Sequence, residues 1–171
     1  MLPRLKLPRS KIIVLGCGSG HDAAFLAQAG HHVTAIDFSE EAIQNAKKLY
    51  GHQSRLEFIQ ADVFQLPPAW HGTFDVVIEH TCFCAVDPQQ RTQLVKVWRQ
   101  LLHHEGLLFA VFFSMLKRSG PPFGSSEWEI RELLQSSFQF LFWGRWKNSL
   151  PERQGKELFV YGHKKDGSVW R

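Results

Sequence analysis

The apolar positions of this chain fall into short runs that alternate with stretches of helical period. Lys11–Cys17 is a compact apolar run ending in glycines, and His32–Asp37 is a second such run. Runs of that length without polar alternation predict parallel strands buried on both faces. Leu56–Ala61, Phe74–Glu79 and Leu107–Phe113 repeat the pattern. Between them the period changes. Asp22–Ala29 carries Ala23, Phe25, Leu26 and Ala29 and meets Gly30, a C-terminal stop. Ile43, Ala46, Leu49 and Tyr50 form one face of a second helix, which Ser39 caps with Glu40 and Glu41 in its first turn. Asp87-Pro88 starts a third helix, with Leu94, Val97, Trp98 and Leu101 on its inner face. Ser126 and Glu129 have capping-box spacing for a fourth, carrying Ile130, Leu133 and Leu134.

The end of the chain breaks the alternation. Phe138–Trp146 and Leu158–His163 read as strands with only a loop between them. No helix fits in that interval, so the two must be antiparallel. The prediction is one α/β domain over residues 1–171: a mainly parallel, seven-stranded sheet closed by an antiparallel pair, with helices on both faces.

Composition narrows the class. The chain has 171 residues, enough for one domain with its own core. Hydrophobic residues make up 44% and charged residues 21%, the balance of a globular protein. The net charge of +4 is spread among acids without a basic run or a nucleic-acid-binding motif, so no nucleic-acid partner is expected. No apolar stretch reaches the roughly 20 residues of a membrane span, and Met1–Arg9 lacks the apolar core of a secretory signal. Three cysteines, Cys17, Cys82 and Cys84, are too few for a disulfide framework and suit a reducing cytoplasm. A lone C-x-C is poor material for a zinc site, and no metal is expected.

The strongest local motif is Gly16-Cys17-Gly18-Ser19-Gly20-His21-Asp22, between the first strand and the first helix. Glycines there let a ligand approach the backbone closely. Asp37 ends the second strand about 20 residues on, where a carboxylate accepts hydrogen bonds from ribose hydroxyls. A dinucleotide fingerprint would be G-x-G-x-x-G, but the third position here is His21. Crowding at that point disfavours a pyrophosphate. S-adenosylmethionine has no phosphate to seat and suits the loop better than NAD. Asp62, ending the third strand, is placed to accept from an adenine amine. Cys17, Phe38, Ala61 and Val63 flank these positions and complete the expected cofactor contacts.

Three later segments are less generic: Glu79-His80-Thr81-Cys82-Phe83-Cys84-Ala85-Val86-Asp87-Pro88, Gly120-Pro121-Pro122-Phe123, and Asn148-Ser149-Leu150-Pro151-Glu152-Arg153-Gln154-Gly155-Lys156-Glu157. In this order they resemble the thiopurine methyltransferase family, especially its thiol and halide methyltransferase branch, over roughly residues 11–164. The resemblance implies a class I methyltransferase fold. It implies that Gly16, Gly18 and Gly20 line the methionine part of S-adenosylmethionine and that Asp37 holds its ribose. Glu79, His80 and Phe83 would surround the sulfonium, and Phe83, Pro122 and Phe123 the acceptor. His80, Asp22 and Arg153 are the candidates for proton handling or acceptor attraction.

The acceptor implied is a small thiol, halide or thiopurine-like molecule, and the protein a monomer or weak dimer. Family members carry a longer N-terminal segment over the site, whereas about ten residues of this sequence precede the first strand. A cofactor-binding module without the lid is therefore the alternative reading.

Overall fold

The computed structural model describes residues 7–117, 119–147, 149 and 151–166. Seven strands form one sheet: β1 (Lys11–Leu15), β2 (His32–Asp37), β3 (Leu56–Gln60), β4 (Phe74–His80), β5 (Leu102–Phe113), β6 (Phe138–Arg145) and β7 (Glu157–Lys164). Their spatial order is β3-β2-β1-β4-β5-β7-β6. The first five are parallel, and β7 runs antiparallel to both β5 and β6. The sheet and its closing pair are those the hydrophobic pattern predicts.

The helices are α1 (His21–Gln28), α2 (Glu40–Tyr50), α3 (Arg91–Leu101) and α4 (Glu127–Gln135). Side chains alternate across a strand, so β1 divides its apolar residues between two cores. Ile12 and Val14 join Ala23, Leu26, Ile43 and Ala46, which places α1 and α2 on one face. Ile13 and Leu15 join Leu94, Trp98, Leu101, Ile130 and Leu134, which places α3 and α4 on the other. Burial on both faces explains why the strand sequences lack polar alternation.

Local chemistry sets most helix starts. Ser39 accepts from the Ala42 amide and Ser126 from the Glu129 amide. Asp87 caps a short 3-10 turn, Pro88–Gln90, that precedes α3. The capping box at α4 is only half made: the Glu129 carboxylate turns away to Arg91, at 2.6 Å. β5 also differs from expectation. It starts at Leu102 rather than Leu107, with an irregular register against Phe74–Val76, so Gly106 lies within the strand. Leu102 is fully buried and pairs with Phe74, and the polar His103–Glu105 lie in the irregularity before Leu107 pairs with Val76.

Candidate active site

Parallel strands in an α/β sheet present their carboxyl ends to a crevice where neighbouring helices lie on opposite faces. β1 and β4 meet there, because β1 leads to α1 on one face and β4 to α3 on the other. A cleft of about 550 Å3 opens at this point, bordered by Gly16, Ile36–Phe38, Ala61–Phe64, His80–Cys82, Ala85–Asp87 and Gln90. That size is within the usual range of small-molecule pockets.

The glycine loop has a division of labour the motif did not reveal. All three glycines have positive φ, at 62°, 51° and 79°. A Cβ on Gly16 would lie 2.6 Å from Cys82 Sγ, so this glycine lets the loop after β4 close onto the loop after β1. A Cβ on Gly20 would lie 2.6 Å from the Phe58 ring; its freedom serves packing against β3. Nothing lies within 4 Å of the Cβ position of Gly18. Of the three, Gly16 borders the cleft. Cys17 bonds through its amide to Ile36 O, and burial pushes its thiol up to about 12.

Asp37 joins the two loops. Its carboxylate accepts from the Gly18 amide at 2.8 Å and the Ser39 amide at 2.9 Å. A carboxylate offers about four acceptor sites, so two remain for hydroxyls presented from the cleft. Phe38 beside it is 76% exposed and sets an aromatic face on the cleft rim. Ala61, Asp62 and Val63 form the facing rim. Asp62 caps its own 3-10 turn, accepting from the Phe64 amide and from Gln65 Nε2, and likewise keeps acceptor capacity. Gly16 at the cleft border, an unspent carboxylate at the end of β2 and an exposed ring fit a nucleoside with an amino-acid tail.

The end of β4 is tightly organised. Glu79 is 1% exposed, and its Oε1 accepts from the Phe83 amide at 2.6 Å. Among the described residues Oε2 has no partner. Burial lifts this carboxyl to about 7, against the pull of the turn's amides. Thr81 has φ 61°, rare for a β-branched residue, which reverses the chain so that Cys82 meets Gly16. His80 remains on the cleft wall, and its Nδ1 lies 2.6 Å from Asp22 Oδ2 in the first turn of α1. Both residues are candidates by sequence, but nothing in the sequence marks them as a pair.

Other expected site residues lie elsewhere. Phe83 is 1% exposed and packs against Trp98, Phe112 and the Arg91 guanidinium, so it belongs to the core and not to the cleft lining. It supports the loop from beneath. Phe123 donates its amide to Cys84 O at 2.6 Å, and Arg91 Nη1 donates to Gly124 O at 3.0 Å; the two bonds fasten the Pro122–Gly124 segment beside the β4 loop. Pro122 is exposed. Arg153 turns onto Glu157, 3.4 Å away, and over the Phe113 ring. Asn148 and Leu150 of the third family-like segment lie outside the described residues. Thr81, Cys82, Ala85, Val86, Asp87 and Gln90 border the cleft beyond the contacts that the motifs predict. All but Gln90 lie in the family-like segment after β4, which marks the stretch but not the individual contacts.

Among the described residues, no group of His, Cys, Asp or Glu is placed to hold a metal ion, and no helix is long and apolar enough to cross a membrane.

The thiopurine S-methyltransferase family model matches residues 1–165. The chain belongs to that family of S-adenosylmethionine-dependent methyltransferases. Thiocyanate methyltransferase 1 of Arabidopsis thaliana is 30% identical over 158 residues, covering 88% of this chain and 68% of that protein. A probable thiol methyltransferase 2 of the same plant is 31% identical over 132 residues, covering 75% of this chain and 58% of its own length. The chain thus spans between about half and two thirds of such plant relatives. Among solved structures, the 1,6-didemethyltoxoflavin-N1-methyltransferase of Burkholderia thailandensis, crystallised with S-adenosylhomocysteine, superposes with a TM-score of 0.75 at 22% identity. That match covers 92% of this chain and 72% of the other, and it shows the shared fold.

Proposed function

We propose that this chain moves a methyl group from S-adenosylmethionine to a small soft nucleophile, a thiol, halide or thiopurine-like acceptor. The supporting observation is the cleft at the β1–β4 switch, where Gly16, the unspent acceptors of Asp37 and the exposed Phe38 ring share one border. When bound, the cofactor supplies an activated methyl on a sulfonium and its own leaving group.

The protein's tasks are to bind, align and exclude water. Asp37 would hold the ribose hydroxyls, Asp62 the adenine amine, and Phe38 the face of the base. The Gly16 backbone would run beside the amino-acid tail. His80 would stand at the acceptor end, with Pro122 and Phe123 bordering the approach. Soft nucleophiles need no elaborate activation, so orientation on the methyl–sulfur axis is the main demand on the fold. A cytoplasmic setting, a small-molecule acceptor and a monomeric or weakly dimeric state accord with this reading.

Incubation of purified protein with S-adenosylmethionine and iodide or a small thiol should release S-adenosylhomocysteine. Calorimetry should show Asp37→Ala weakening cofactor binding by about 1–3 kcal/mol, the effect of removing one partner from buried polar groups. Cofactor binding without turnover on any such acceptor would favour a binding module, and unchanged affinity in Asp37→Ala would place the ribose elsewhere.

A further inference from the structure

The notable feature of the cleft wall is an imidazole set among acids. His80 Nδ1 is 2.6 Å from Asp22 Oδ2, with both side chains about half exposed at 43% and 51%. A carboxylate only accepts, so Nδ1 carries the proton and a neutral ring keeps its free lone pair on Nε2. Nε2 has no hydrogen-bond partner among the described residues, while His80 borders the cleft. The carboxylate thus fixes tautomer and ring orientation, the role of the acid in a base–orienter pair.

The surroundings also bear on the acceptor. The charged groups acting on His80 come from three elements: Asp22 on α1, Glu79 on β4 and Glu157 on β7. Of these acids, Glu79 titrates near 7 and Glu157 engages the nearby cation Arg153, which leaves the Asp22 carboxylate as the standing negative charge beside the ring. An acceptor that arrives as an anion meets like charge here, whereas a neutral thiol does not.

Building on the methyl-transfer reading, we propose that the acceptor is a neutral thiol, that His80 Nε2 is the base that deprotonates it, and that Asp22 is the positioning residue for that base. The S–H proton passes to Nε2 and its electron pair stays on sulfur. That sulfur forms the new bond to the methyl carbon as the carbon–sulfonium bond breaks, and the pair from the broken bond leaves with the cofactor as a neutral thioether. The imidazolium then returns its proton to water. An alkyl thiol is mostly protonated at neutral pH, so a positioned base has a task for this acceptor and none for a halide. The Asp22 hydrogen bond raises the basicity of His80, and the same contact lowers Asp22.

Two measurements test this. The first needs no cofactor: nitrogen-15 NMR of histidine-labelled protein should show the Nδ1–H tautomer of His80 and a titration above that of ordinary histidine. Asp22→Asn should bring that titration down. The second compares kcat/KM for ethanethiol and for iodide at pH 7. General-base assistance is worth about 100-fold or more, so His80→Gln should lower the thiol-to-iodide ratio at least tenfold. An Nε2–H tautomer, a titration indifferent to Asp22→Asn, or an unchanged ratio in His80→Gln would overturn the proposal and leave methyl transfer standing. A wild-type protein inactive on both acceptors would instead remove the methyl-transfer reading, and this proposal with it.

Discussion

Glu79 is the residue whose chemistry departs furthest from its sequence appearance. A carboxyl at a strand end is ordinarily solvated, but this one is buried and binds the amide of the turn that follows. Its folded-state titration near 7 stands above the ordinary 4.5, with burial as the main cause. The folded state therefore holds this proton more tightly than the unfolded state, which favours folding below about pH 4.5. That contribution is lost as pH rises toward 7. Glu79→Gln keeps the acceptor for Phe83 and removes the titration. Urea unfolding at a series of pH values should show a shallower fall in stability for Glu79→Gln than for wild type across this interval. An identical pH dependence would show that Glu79 is ionised throughout.

At the scale of elements, α3 and α4 are joined through one ion pair. Arg91, the first residue of α3, is 1% exposed, while Glu129 of α4 is 35% exposed. Two further Arg91 nitrogens, Nε and Nη2, are buried without partners among the described residues. Breaking a pair by deleting one member leaves the other charge uncompensated, and here the survivor would be the buried one. Glu129→Ala should therefore cost about 3 kcal/mol in chemical denaturation, well above the usual effect of a half-exposed glutamate. Loosening should reach the cleft border too, since the same guanidinium holds Gly124 O and lies over Phe83. The capping-box spacing pointed to a local bond for Glu129. The buried guanidinium, 38 residues away, competes for the same carboxylate, and a charge-assisted bond is the stronger.

For the whole molecule, the cleft lies between loops from β1, β2, β3 and β4, so a ligand there ties these four segments together. A ligand that binds only the folded state stabilises it by mass action. S-adenosylmethionine at about 100 times its Kd should raise the unfolding free energy by about 2.7 kcal/mol, and Asp37→Ala, with cofactor binding weakened by about 1–3 kcal/mol, should lose about 1 to 2.4 kcal/mol of that gain at the same concentration. Thermal or urea unfolding with and without the cofactor measures both effects. Equal stabilisation by NAD would mean that the glycine loop seats a pyrophosphate in spite of His21.

The order of strands and helices, the closing antiparallel pair, the glycine turn before α1 and the place of Asp37 at the end of β2 were all legible from sequence. Each is a local matter: periodicity fixes which face an element buries, and a glycine run after a strand fixes where a ligand can approach. The pairing of Asp22 with His80, 58 residues apart, was not legible. Nor were the withdrawal of Phe83 into the core, the capture of Glu129 by Arg91, and the use of Gly20 for packing against Phe58. These depend on where β4 and the helices come to rest against β1, and two residues of the right chemistry carry no mark of that distance until the chain has closed.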